Sequence, residues 1–211
     1  MRLFHFIYWI TVSASLLPII TYLLFPHSLA GFSKAIRKGL IWFFVYLVMH
    51  HVACIILEYW IRDSEPAAHF SVLFEFYIML YVLHAIRPIK HIRFIAWLGV
   101  IPFLLDLFWT STLMNECIVS TVVYATTSIY FSYKIIYERG FEGKEYLFSI
   151  SFFLYFLCCL VYGVFYHFII ENKSIFLLVL PVLMLIHIFF YAAMSWGVIH
   201  SNRKNLSMET A

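Results

Sequence analysis

Ionisable side chains stand inside long apolar stretches of this chain at His50, His51, Glu58, Glu75, His84, Asp106, Glu116, His167 and His187. Each costs a few kcal/mol or more in an apolar environment, so each needs a partner or a task. His51 and Glu58 are seven residues apart and share a helical face, with Cys54 close to the line between them. That stripe suits a cation site or a proton relay. It suits equally well a Glu58–Arg62 pair one turn on, with His51 bonded to a neighbouring carbonyl. Glu75 has only Ser71 as a polar neighbour on its own face, where Ile78, Met79 and Val82 follow, so it must find a partner on another helix. Glu116, Ser120, Thr127, Tyr130 and Lys134 form one broad stripe at helical spacing that is expected to face an interior. If Glu75 and Glu116 meet there, a shared proton, a His or a bound cation is required to keep two carboxylates together in low dielectric. His187 and Tyr191 share a face, and Tyr155, Tyr162 and Tyr166 make a tyrosine stripe. Either could line a ligand cavity, or hydrogen-bond across helices at about one kcal/mol or less each. Asp106, His167 and His84 read as mainly structural.

The elements that must position these groups follow from composition. Of 211 residues 64% are hydrophobic, 21% aromatic and only 12% charged, against roughly 25% charged in a soluble domain. Lipid, rather than water, is the expected solvent. A spanning helix needs roughly 20 apolar residues, and seven runs qualify, at about 3–25, 40–61, 68–86, 94–110, 114–135, 146–170 and 175–199. Unbroken runs predict helices and not barrel strands, which alternate over only about ten residues. The expected fold is therefore an all-α seven-helix bundle over residues 1–200, followed by a short polar tail, 201–211. The N-terminal apolar run is too long for the hydrophobic core of a signal peptide and reads as a retained span. Cys54, Cys117, Cys158 and Cys159 read as small buried apolar groups rather than a disulfide framework.

Lys and Arg collect on cytoplasmic loops. Eleven of the fourteen lie in the first, third and fifth connections and the tail, leaving Arg2, Arg62 and Lys173 for the other side. That alternation supports both the count of seven and an orientation with the N-terminus outside and the C-terminus cytoplasmic. Trp9, Trp42, Trp60, Trp109 and Trp196 fall near span ends, as an interfacial belt requires. With only seven Gly against twenty-three Phe and fifteen Tyr, the helices are expected to pack through aromatic faces.

Several chemistries lack their residues. A retinal Schiff base needs a Lys in the last span, and none lies between Lys173 and Lys204. The H-E-x-x-H, G-x-S-x-G and phosphate-loop patterns are absent, which argues against an enzyme of those classes. The formal charge of +3 is too small to indicate a nucleic-acid partner. Similarity between spans 1–3 and 5–7, which a carrier built of two repeats would show, is not evident.

The segment His69-Phe-Ser-Val-Leu-Phe-Glu75-Phe76, Glu116, Ser128-Ile-Tyr-Phe-Ser-Tyr-Lys134 and Ile186-His187 resemble a bacterial family of small, aromatic-rich inner-membrane proteins with about seven spans and no assigned activity. Leu147-Phe148 stands where a Phe-Trp pair is expected. The resemblance implies architecture and directs attention to His69, Glu75, Glu116 and His187, but implies no mechanism. The expected function is a sensor or signalling accessory, with Glu58, Glu75, Glu116 and His187 around an outward-leaning polar pocket and His51, His69 and Tyr191 as further candidates. Its expected partners are membrane lipids and a membrane-bound signalling protein docked on the basic loops. A proton- or cation-coupled transporter is the alternative, and a metal-dependent lipid enzyme the third reading.

Overall fold

Long apolar runs leave the backbone little but itself for hydrogen bonding, and helix is the result throughout the computed structural model. The structure describes residues 2–60, 65–109, 117–139 and 145–209, without the side chains of 2–8, 58, 65–69, 109, 139, 166–168, 170, 173, 176, 180 and 201–209. Among the described residues there are nine helices and no strand: α1 (Arg2–Ser15), α2 (Leu17–Leu24), α3 (Lys34–Trp60), α4 (Glu65–Ile86), α5 (Ile92–Leu98), α6 (Val100–Trp109), α7 (Ile118–Arg139), α8 (Tyr146–Glu171) and α9 (Lys173–Glu209). Among the described residues three stretches are long and apolar enough to cross a membrane, Lys34–Leu57, Tyr146–Phe165 and Leu177–His200, and Trp9–Leu24 and Phe70–Ile86 are shorter apolar helices.

Two expected helices are each divided. The first breaks at Leu16, where Pro18 enters the first turn of α2 and the Leu16 amide turns back to Ser13; proline has no N–H to continue the ladder but is well placed near a helix start. The fourth breaks at Gly99, ahead of Pro102. A Cβ at Gly99 would lie 2.5 Å from the Phe76 ring, so the junction is pressed against α4. The last helix differs in the opposite sense. It does not end near residue 199 but runs on through the expected polar tail to Glu209.

Sequence neighbours pack as hairpins, α3 on α4, α7 on α8 and α8 on α9; α9 also packs on α1 and α2, and α4 on α7. The packing is aromatic. Phe43 meets Phe152 edge-on at 5.4 Å and Phe190 at 5.9 Å, and Tyr155 stacks on Phe190 at 4.4 Å. Such pairs contribute about 0.5–1.5 kcal/mol each beyond the area they bury.

The first and third connections come together at one end. Phe32 of the first connection packs on Phe148 at the start of α8, 5.7 Å between ring centres, and Gly197 of α9 lies against the same ring. Gly39 at the start of α3 abuts Tyr81 and Val82 near the end of α4. Arg87, just past α4, forms an ion pair with Glu138 in the last turn of α7. These contacts put Lys34, Arg37, Lys38, Arg87, Lys90 and Lys134 at the same end of the helices.

Candidate functional site

In the half away from those cations, a cavity of about 420 Å³ lies between α1, α3, α4, α7, α8 and α9. Helical spacing accounts for its polar lining. Ser71 and Glu75 are one turn apart on α4, Tyr155, Cys159 and Tyr162 follow at steps of four and three on α8, and His187 projects from α9. His50 and His51 enter from α3, and Thr121 and Tyr124 from α7.

Glu75 is the centre of the arrangement. Its Oε1 is buried without a hydrogen-bond partner among the described residues, and the Tyr155 hydroxyl is the side-chain donor that approaches its carboxyl group. The other polar walls are held more tightly. Tyr46 donates its hydroxyl to the Ser71 carbonyl at 2.9 Å, tying α3 to α4, and its ring stacks on His50 at 6.1 Å. His50 also lies one turn from Cys54, whose Sγ is 3.7 Å from the ring Nε2. His51 Nε2 is 3.3 Å from the Tyr191 hydroxyl, which joins α3 to α9.

His187 Nδ1 is 2.7 Å from the Leu183 carbonyl. A carbonyl only accepts, so Nδ1 carries the proton of that bond, and the neutral ring keeps its lone pair on Nε2. The cavity therefore offers acceptors at Glu75 and His187 inside a mostly apolar wall that includes Val72, Phe156 and Leu183.

Of the sequence candidates, Glu75, His51 and His187 line this one cavity. Tyr191 does not line it but reaches it through His51. The side chains of Glu58 and His69, and all of Glu116, lie outside the described residues. The α7 stripe expected to face the interior does not do so as a unit. Ser120 is buried, but Tyr130 and Lys134 are exposed and Thr127 turns its hydroxyl back to Val123. The interior face runs instead through Tyr124, Ala125, Ser128, Ser132 and Ile135, about a third of a turn away at roughly 100° per residue, because the stack of Tyr124 on Phe76, 4.3 Å apart, sets the rotation of the helix.

Asp106 is structural, and its task is now specific. Buried to 2% exposure, its two oxygens accept from the Val119 and Ser120 amides at 3.0 and 2.7 Å. It thus caps α7 from α6 and faces the positive end of that helix. His84 is also structural, accepting at Nδ1 from the Ile89 amide at 2.9 Å to close the turn after α4.

The sequence reading did not single out Tyr46, Thr121 or Cys159. The Tyr155–Cys159–Tyr162 spacing was the available signal for the last, since it continues the tyrosine stripe. No disulfide joins the four cysteines. Among the described residues no group of three or more His, Cys, Asp or Glu is arranged to hold a metal ion. No family model, curated protein or solved structure matches this chain.

Proposed function

We propose that the chain is a seven-span membrane protein that binds a small, donor-bearing ligand in the Glu75 cavity and relays its occupancy through α9, as a sensor or signalling accessory. Lipid exposure of the bundle rests on its surface: Leu23, Leu24, Phe108, Leu178 and Phe189 are each about 70% exposed or more, a distribution that water would penalise and acyl chains accept. The orientation, N-terminus outside, rests on the basic end of the bundle facing the cytoplasm. The cavity then lies in the outer half.

The observation that carries the ligand-binding reading is the unsatisfied Glu75 Oε1 inside a cavity of about 420 Å³. Leaving a buried acceptor unmet costs about 1–3 kcal/mol, and a ligand with an amine or hydroxyl group recovers it. The apolar wall takes the rest of such a molecule. Two features of α9 make it the output. It carries His187 in the cavity and Tyr191 bonded to His51, and its 37 residues extend about 55 Å, well beyond a hydrocarbon core of roughly 30 Å. A ligand that draws His51 or His187 changes the seat of α9 and so the position of its cytoplasmic end.

The test uses the purified full chain in detergent, with n-hexylamine and n-hexanol as probes and thermal unfolding as readout. A saturable rise in Tm that Glu75→Leu removes is expected. A rise that persists in Glu75→Leu sinks the proposal. A proton-coupled carrier is the second reading, favoured by three imidazoles and one carboxyl group on a common cavity. It requires proton flux in proteoliposomes that Glu75→Gln abolishes, whereas a sensor passes none.

A further inference from the structure

A second cavity, of about 380 Å³, lies at the opposite, basic end, between the connection that follows α4 and the last turns of α7. Arg87, Lys90 and Lys134 supply its cations, Ile89 and Phe131 its apolar floor, and Tyr130 its edge. The sequence reading treated these basic residues as markers of orientation. Their convergence on one concave site is a property of the fold alone.

The site is built rather than incidental. His84 accepts from the Ile89 amide at 2.9 Å, which holds the turn carrying Arg87 and Lys90. His91 completes that turn with φ 56°, a left-handed conformation rarely adopted by a residue other than glycine. Ile89 and Phe131 pack against the hydrophobic core, so the floor between the two elements is anchored.

The charges are unbalanced. Glu138 is engaged with Arg87, and among the described residues neither Lys90 nor Lys134 has a carboxylate partner. Like charges converging on a hollow repel one another unless an anion sits between them. A phosphate group matches the donors: two ammonium groups act as point charges, the guanidinium as a fork held in place by Glu138, and the Tyr130 hydroxyl as a neutral donor.

The surroundings favour a ligand with an alkyl portion. Beyond the cavity, the outward face of α7 exposes Val123, Tyr130, Tyr133 and Tyr137, and Tyr133 and Tyr137 stack with centres 6.0 Å apart. An acyl chain can run from the cationic rim past Tyr130 toward Val123 while its phosphate remains at the rim.

We infer that this cavity binds a phosphate-bearing anion through Lys90, Lys134 and Arg87, supplied either by an anionic phospholipid headgroup or by a soluble phosphate. This site is independent of the Glu75 cavity. The lipid source alone rests on the membrane reading given above.

The full chain in detergent is titrated with dioctanoyl phosphatidylglycerol and, separately, with inorganic phosphate, reading intrinsic fluorescence. Wild type, the pair Lys90→Gln/Lys134→Gln and the pair Lys34→Gln/Lys38→Gln are compared. The second pair removes equal charge from the same end but outside the cavity. Saturable binding that the cavity pair weakens roughly thirtyfold, two cations at about 1 kcal/mol each near an anionic headgroup, and the control pair less than twofold, is expected. Lys90→Arg/Lys134→Arg should restore it. Binding of phosphatidylglycerol alone identifies a lipid source, and equal dependence with inorganic phosphate identifies a soluble one. Equal losses in the two Gln pairs, or no saturable binding of either probe, overturn the inference.

Discussion

Glu75 poses the sharpest question at the scale of single residues, because a group kept for a ligand and a group kept for the fold respond differently to removal. Replacing it with Leu deletes an unsatisfied buried acceptor and fills the same space with carbon. The Tyr155 hydroxyl then loses the carboxyl group it approaches, a cost of similar size, so stability is expected to change by less than about 1 kcal/mol in denaturant or thermal unfolding, while the response to n-hexylamine disappears. A loss of about 2 kcal/mol or more would instead mark Glu75 as a structural hydrogen-bonding residue. Tyr191→Phe should lower stability by about 0.5–1 kcal/mol through loss of its bond to His51, and should blunt any ligand effect relayed to α9. Glu75 and His187 were legible in the sequence because an ionisable group in an apolar run is conspicuous. Cys159, Thr121 and Tyr46 were not, because Cys, Thr and Tyr are common in buried helices and only proximity to the cavity distinguishes them.

Among the helices, α7 shows how a helix start can depend on a distant residue. Asp106 on α6 accepts from the second and third amides of α7, a cap contributed across fourteen positions of sequence. Asp106→Ala is expected to cost about 0.5–2 kcal/mol and to increase amide exchange at Val119 and Ser120. Exchange unchanged at those two amides would contradict the capping role. Gly99→Ala tests the division of the fourth helical stretch. A methyl group there meets Phe76, so a penalty of about 1–3 kcal/mol is expected for displacing the Phe76–Tyr124 stack. The helical stretches themselves were legible from apolar length. Their breaks at Leu16 and Gly99 follow from Pro18 and from close packing. The rotation of α7 was not legible, because Ser, Thr and Tyr suit both an interior and an exposed face, and contact with Phe76 decides between them.

At the scale of the whole molecule, the gathering of the basic connections makes orientation testable. In a variant with all four cysteines replaced, Ser174→Cys should react with an impermeant maleimide on intact cells, and Lys38→Cys and Lys90→Cys only after lysis. The reverse pattern would invert the proposed topology and place the Glu75 cavity toward the cytoplasm. The sequence by itself determined that the chain is helical, since unbroken apolar runs must satisfy their backbone hydrogen bonds locally, and it marked the ionisable groups that those runs tolerate at a cost. Alternating loop charge also anticipated that the first and third connections share an end. Only the tertiary structure decided that Glu75, His51 and His187 face one cavity, that Asp106 caps a neighbouring helix, and that Arg87, Lys90 and Lys134 converge on another cavity. The physical reason is that apolar periodicity specifies a helix's length and approximate face, whereas its rotation and its neighbours depend on aromatic packing between residues far apart in the chain.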